Sequence, residues 1–146
     1  MKKELDDALC AKYPLIFKDR HADMRTTAMC WGFDCGDGWY ALIDCLCSML
    51  MWDKHTGKQI ENPPIAMQVK EKFGTLRFYV SGATDAQYDL ISFAEYLSGR
   101  TCETCGTTKD TFQTSGWIRT TCPICDPEEY KDHLEYLEYI KNEEKC

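Results

Sequence analysis

The stretch CETCGTTKDTFQTSGWIRTTCPIC, residues 102–125, decides how this chain is read. Two C-x2-C pairs, Cys102/Cys105 and Cys122/Cys125, stand 16 residues apart, inside the spacing of a zinc ribbon. Each pair can curl into a knuckle that offers two thiolates to one side, and two facing knuckles complete a tetrahedral four-sulfur site. Gly106, directly after Cys105, suits a knuckle that needs a residue tolerant of positive φ. A redox dithiol and a pair of disulfides are the alternatives. Four thiolates fill a tetrahedron and leave no position for a water, so the Zn2+ expected here is structural. Between the knuckles, residues 111–121 supply two short strands turning at Ser115–Gly116.

Helices flank the ribbon on both sides. Thr84 starts one, with Gln87 as its capping-box partner, a buried stripe of Leu90, Ile91, Ala94 and Leu97, and Gly99 placed as terminator. Downstream, Asp126 as N-cap, Pro127 at the first helical position and the acids Glu128 and Glu129 open a last helix. Tyr130, Leu134, Leu137 and Ile140 form its apolar stripe. Before the first of these helices, IAMQVKEKFGTLRFYVSG (65–82) reads as a β-hairpin. Val69 and then Leu76, Phe78 and Val80 alternate with polar residues about a turn at Phe73–Gly74–Thr75.

Further upstream, Asp37 is expected to cap a helix from Gly38 to about Met51, with Trp39, Leu42, Ile43, Leu46, Cys47 and Leu50 on one stripe. Gly57 and Pro63–Pro64 make a loop after it. A short helix from Lys2 to about Lys12 presents Leu5, Ala8 and Leu9, Pro14 stops it, and Leu15, Ile16 and Phe17 dock on the core. Between His21 and Gly36 the pattern is irregular, and Met24, Met29, Trp31 and Phe33 suggest a packed loop or short strand. The fold class expected is α+β: a small β-hairpin or sheet packed by helices, with an inserted four-cysteine zinc ribbon and a C-terminal helix. Its parts are an α+β core (1–99), the ribbon (100–126) and a C-terminal helix (127–146) packing on the same unit.

A chain of 146 residues that is 44% hydrophobic can bury a real core, so zinc acts as a local staple. The net charge of −7 disfavours a protein that coats nucleic acid, since such proteins are normally basic. It suits solubility or attraction to a basic protein surface. The opening MKKELDDALCAKYP has no apolar signal region, and no apolar run approaches a membrane span. A cytoplasmic protein with reduced thiols and no membrane partner is the expectation, and in that compartment cysteine pairs read as metal ligands.

Two segments offer binding groups. On the hairpin, period-two alternation sends Lys70 and Lys72 outward beside Arg77 and Tyr79, a positive cluster with an aromatic platform for a phosphate, a nucleotide or a short single strand. An ordinary solvated sheet face is the alternative. In CGDGWY, Asp37 can accept from a ligand hydroxyl or base N–H while Trp39 stacks, at a helix start that favours anions. The alternative there is a capping aspartate and a core tryptophan. Asp44 could point the same way, though helical acids are usually solvated. Cys10, Cys30, Cys35, Cys45, Cys47 and Cys146 read as small buried hydrophobes more than as nucleophiles. His21, His55 and His133 are scattered and form no second metal site.

Three stretches taken together, WGFDCGDGWYALIDCLC, QVKEKFGTLRFYVSG and CETCG followed by GWIRTTCPIC, resemble a family of small zinc-ribbon proteins of tailed phages and prophages. The resemblance spans roughly residues 30–126. Its motif positions are Gly36, Asp37, Gly38, Trp39, Lys70, Lys72, Phe73, Gly74, Arg77, Phe78 and Tyr79 with the four ribbon cysteines; Cys30, Cys45 and Cys47 stand outside it. It implies a phage-encoded accessory protein in the cytoplasm of an infected bacterium, and it transfers no catalytic residue. Three functions follow. The first is a non-enzymatic binder of a host defence protein or of an anionic nucleotide-like molecule, countering antiviral defence. The second is a nucleic-acid-binding regulator using Lys109, Trp117 and Arg119, which the acidity disfavours. The third is a nucleotide-processing enzyme built on Asp37 with His21 or His55, which lacks the paired carboxylates such chemistry needs.

Overall fold

The computed structural model describes residues 1–53 and 56–143; His55 and Cys146 lie outside them. The elements in chain order are α1 (Lys3–Lys12), β1 (Phe33–Asp34), α2 (Tyr40–Leu50), β2 (Ile65–Lys72), β3 (Thr75–Ser81), α3 (Asp85–Ser98), β4 (Phe112–Gln113), β5 (Thr120–Thr121) and α4 (Pro127–Glu143). The fold is α+β, as the patterning implies.

The hairpin forms where alternation places it. β2 and β3 pair antiparallel with Val69 opposite Phe78 and Lys70 opposite Arg77, and β1 joins the other side of β2 in parallel. Phe33, Val69, Leu76 and Phe78 are buried on one face. There they meet Phe17, whose ring stands edge-on to Phe33 at 4.9 Å and to Phe78 at 6.2 Å. α2 adds Ile43, Leu46, Cys47 and Leu50, and α3 adds Ile91 and Ala94.

β3 is an edge strand, and unpaired edge groups invite further pairing. Here α3 covers them: Leu76 N–H donates to Ser98 Oγ at 2.7 Å and Phe78 N–H to a Glu95 carboxylate oxygen at 2.8 Å. The expected capping box of Thr84 and Gln87 is formed. Gly99, in contrast, ends α3 in a right-handed conformation (φ −67°) instead of the left-handed one expected. Its value is space: a Cβ there would come within 3.2 Å of the Thr75 methyl.

Three other expectations are corrected. Asp37 does not cap α2. A short 3-10 turn over Asp37–Trp39 leads into the helix, and no side chain caps it. Met24 and Trp31 are exposed, leaving Met29 and Phe33 as the buried residues of that loop. Leu15 is exposed while Ile16 and Phe17 dock.

One buried polar feature escaped the pattern. Asp6 on α1 forms a bidentate pair with Arg20 (2.9 and 2.8 Å), and Arg20 also donates to the Cys30 carbonyl at 2.8 Å. Gly32, at φ +80°, passes directly beneath, and a Cβ on it would lie 2.5 Å from the Asp6 carboxylate.

Candidate metal centre and the cleft beside it

The two knuckles are built alike. Each returns a backbone N–H to its first cysteine: Gly106 to the Cys102 carbonyl at 2.8 Å, Asp126 to the Cys122 carbonyl at 2.9 Å. Gly106 has the positive φ, +78°, that its place after Cys105 implies. β4 and β5 then bring the knuckles together, pairing Phe112 with Thr121 and Gln113 with Thr120. The result gathers the Sγ atoms of Cys102, Cys105, Cys122 and Cys125 within 4.8 Å of one another. Cys105 and Cys122 approach to 3.7 Å. A tetrahedron with metal–sulfur bonds near 2.3 Å has sulfur–sulfur edges of ~3.8 Å, so the quartet has the dimensions of a four-sulfur metal site. Burial alone would raise the Cys102 thiol, but the backbone N–H groups of Cys105 and Thr104 hold it down to about 7.

The first knuckle is clamped by CGDGWY. Gly38 N–H donates to the Glu103 carbonyl at 2.8 Å, Gly36 N–H donates to the Glu103 carboxylate at 2.8 Å, and the Trp39 indole N–H donates to the Thr101 carbonyl at 2.9 Å. The approach is backbone on backbone. A Cβ at Gly38 would stand 2.3 Å from the Cys102 carbonyl oxygen and 2.5 Å from Gly106 N. The hairpin turn closes the other side. Thr120 Oγ donates to the Gly74 carbonyl at 2.5 Å, and a Cβ on Gly74 would meet Ile118, Gln113 and Thr120 within 3.3 Å. The three stretches that stood out in the sequence are therefore in mutual contact, through β1 against β2 and through Gly36, Gly38 and Gly74 against the ribbon.

No protein-family model, curated protein or solved structure matches this chain. The site is accordingly read from its own geometry.

The expected ligand residues separate. Trp39 is fully buried in the core, so it cannot stack on a ligand. Asp37 accepts from the Lys2 backbone N–H at 2.7 Å and pairs with the Lys2 ammonium at 3.1 Å, contacts that hold its carboxyl below the usual range. It acts as a strap between the chain's first residues and the knuckle clamp. Lys70, Lys72, Arg77 and Tyr79 do share the outer face of the sheet by register. Lys70 Nζ lies 5.9 Å from the Tyr79 ring centre, and Arg77 is turned onto Thr75 Oγ and the Leu76 carbonyl.

Lys70 and Lys72 also line a cleft of about 710 Å³ between the sheet and the ribbon tip, where Phe73, Trp117 and Ile118 supply apolar surface. Asp34, Glu71 and Glu103 add acids to its wall. Burial raises Glu103 above the ordinary carboxyl range. Trp117 is 80% exposed, an unusual state for a large aromatic ring. Glu103 escaped sequence reading because it sits between two ligand cysteines, where knuckle residues are ordinarily solvated. Its partner Gly36 is 67 residues away.

Arg119, His21 and His133 stand outside this cleft. Arg119 is paired with Asp126 at 2.8 Å. His21 is exposed, and His133 stacks on Phe112 at 5.0 Å. Cys10 and Cys35 are both pushed up to about 12 by burial, and Cys47 is raised well above its ordinary value for the same reason. Thiols in that state are poor nucleophiles. No helix among the described residues is long and apolar enough to cross a membrane.

Proposed function

We propose that this chain is a non-enzymatic binding protein whose ribbon is held by a structural Zn2+. In this reading it captures an anionic, nucleotide-like ligand between hairpin and ribbon tip. The observation that carries it is the shared cleft of Lys70, Lys72 and the exposed Trp117. Two ammonium groups suit a phosphate and an unpacked indole suits a base, stacking being worth ~1–3 kcal/mol per base. The acids beside them suit the N–H donors on a base edge. The resemblance to phage zinc-ribbon proteins supports a role in the cytoplasm of an infected bacterium, where sequestering a nucleotide signal would blunt host defence.

Calorimetric titration with linear, cyclic and ADP-ribose-type nucleotides tests the reading. Saturable binding of at least one is expected, weakened at least about tenfold by Lys70→Glu with Lys72→Glu and by Trp117→Ala, a loss of about 1.4 kcal/mol. No heat with any anionic nucleotide would overturn it.

A further inference from the structure

The last helix is out of balance with the rest of the molecule. α4 runs 17 residues, and none of them is buried. It rests on the ribbon through its first turns, where the rings of Tyr130 and His133 lie 5.3 and 5.0 Å from that of Phe112. Beyond them, Leu134, Tyr136, Leu137 and Tyr139 are all exposed. Between α4, β4 and the end of α3 lies an open groove of about 1290 Å³, with Tyr96, Leu97, Phe112, His133 and Tyr136 on its walls. Leu137 and Ile140 follow His133 and Tyr136 by four residues, so they extend the same wall one turn further. On the opposite bank, α3 exposes Phe93 as well as Tyr96. Exposed apolar and aromatic groups gathered along a groove with a polar rim mark an interaction site.

Charge identifies the occupant. α4 carries Glu128, Glu129, Asp132, Glu135, Glu138 and Glu143 against Lys131 and Lys141, and α3 carries Asp85, Asp89 and Glu95 with no lysine or arginine, while Arg100 just past it lines the groove and lies over the Tyr96 ring. A second copy of this chain would bring one predominantly acidic helix surface against another. A helix with an apolar stripe flanked by Lys and Arg would instead place its anchors among the aromatic rings and its cations beside Asp110, Glu129 and Asp132, the acids on the groove wall. We propose that the α3–α4 groove docks a basic amphipathic helix of another protein, by the helix-in-groove mode in which anchors recur at i, i+3 or i+4 and i+7. This surface is separate from the Lys70–Trp117 cleft and does not depend on it.

The test is fluorescence anisotropy with a labelled synthetic peptide of about 17 residues, the length of α4 at ~1.5 Å per residue, carrying leucine anchors and flanking lysines. A scrambled peptide of identical composition and a glutamate-for-lysine peptide are the controls. Saturable one-to-one binding of the patterned peptide alone is expected. Tyr136→Asp with Leu137→Asp should weaken it at least about tenfold, while Lys70→Glu with Lys72→Glu leaves it unchanged. Because α4 buries nothing in the core, the double variant should keep its metal content and melting temperature. Binding should weaken between about 50 and 300 mM salt without vanishing, since apolar anchors are not screened. Equal binding of the scrambled peptide, no binding of the patterned one, or a homodimer that Leu137→Asp dissolves would each overturn the proposal.

Discussion

The two knuckles share one local geometry and differ in how the rest of the chain fastens them. The first is fastened on three sides: Gly38 and Gly36 bind Glu103, Trp39 binds Thr101, and Glu103 N–H donates to the Thr120 carbonyl at 2.9 Å. The first cysteine of each knuckle, Cys102 and Cys122, is buried, so the contrast lies in the fastening around it. The second knuckle has no such clamp among the described residues. Ile124 at its tip is 89% exposed, and the chain leaving it becomes α4, which buries no residue. A metal ion held by the four cysteines would therefore have two different tasks at one site. It would add to a knuckle that the core already holds, and it would be the main fastening of the other.

Removing the metal gives the largest expected effect. Structural zinc is worth on the order of 10–16 kcal/mol in small peptides, and an isolated helix the length of α4 is marginal in water. Chelation, or Cys125→Ser, should release residues 122–143 while Gly36–Trp39 and Cys102–Gly106 stay ordered. Residue-resolved amide hydrogen exchange reads this directly. Equal loss of protection in both knuckles would show that the clamp holds nothing without the metal.

The clamp itself can be broken from the other side. Gly38→Ala would drive a methyl into backbone that has no side chain to yield, and a cost of about 3 kcal/mol is expected, the upper end of over-packing. Gly116→Ala at the ribbon tip meets no atom within 4 Å. It should cost only the ~1 kcal/mol of a left-handed residue. Urea unfolding of the two variants would reverse the comparison if Gly116→Ala proved the more damaging.

The asymmetry of the site also separates what the sequence discloses from what it hides. Cysteine spacing, hairpin alternation and the Thr84–Gln87 capping box are set by residues a few positions apart, so they are legible without a structure. The clamp is not. Asp37 looks like a helix cap because its true partner, Lys2, is 35 residues away. Trp39 beside a polar glycine turn looks like a ligand platform, and only the fold places its N–H against Thr101. Asp6 and Arg20 look solvated because charged residues usually are, and their pairing needs the loop that brings Gly32 between α1 and β1. The stripe of α4 is visible in the sequence, whereas the exposure of Leu134 and Leu137 among the described residues is visible only in three dimensions.

Acid should distinguish the two halves as well. Burial raises the Asp6 carboxyl, yet the hydrogen bonds and charge of Arg20 more than offset this and leave it below its ordinary value. A depressed carboxyl stabilises the fold fully above the unfolded-state value of ~3.9 and loses that contribution as pH falls through the folded-state value. Since Arg20 also holds the Cys30 carbonyl, this pair anchors the loop leading into the clamp. Thiolates must be deprotonated to keep a metal, so acidification should free the second knuckle and α4 first. The core should unfold only at a pH below ~3.9. Far-ultraviolet and near-ultraviolet circular dichroism should then show two acid transitions, and Asp6→Asn should move only the lower one. A single transition would mean that the metal governs both halves.

The smallest effect should come from the ion pair on the second knuckle. Arg119 donates to Asp126 at 2.8 Å, but its side chain is about half exposed, at 49%. Solvent screening and the entropy of a long side chain leave such pairs worth ~0–1 kcal/mol, and Asp126 keeps its contact with the Glu129 N–H. Arg119→Ala should therefore shift the urea midpoint of the metal-bound protein barely at all. In the metal-free protein the same pair is one of the few links left between β5 and the start of α4, and its removal should further raise amide exchange in α4. A substitution neutral with metal and visible without it is what a knuckle fastened chiefly by its ion requires. A large loss in both states would instead mean that the second knuckle has a protein clamp of its own.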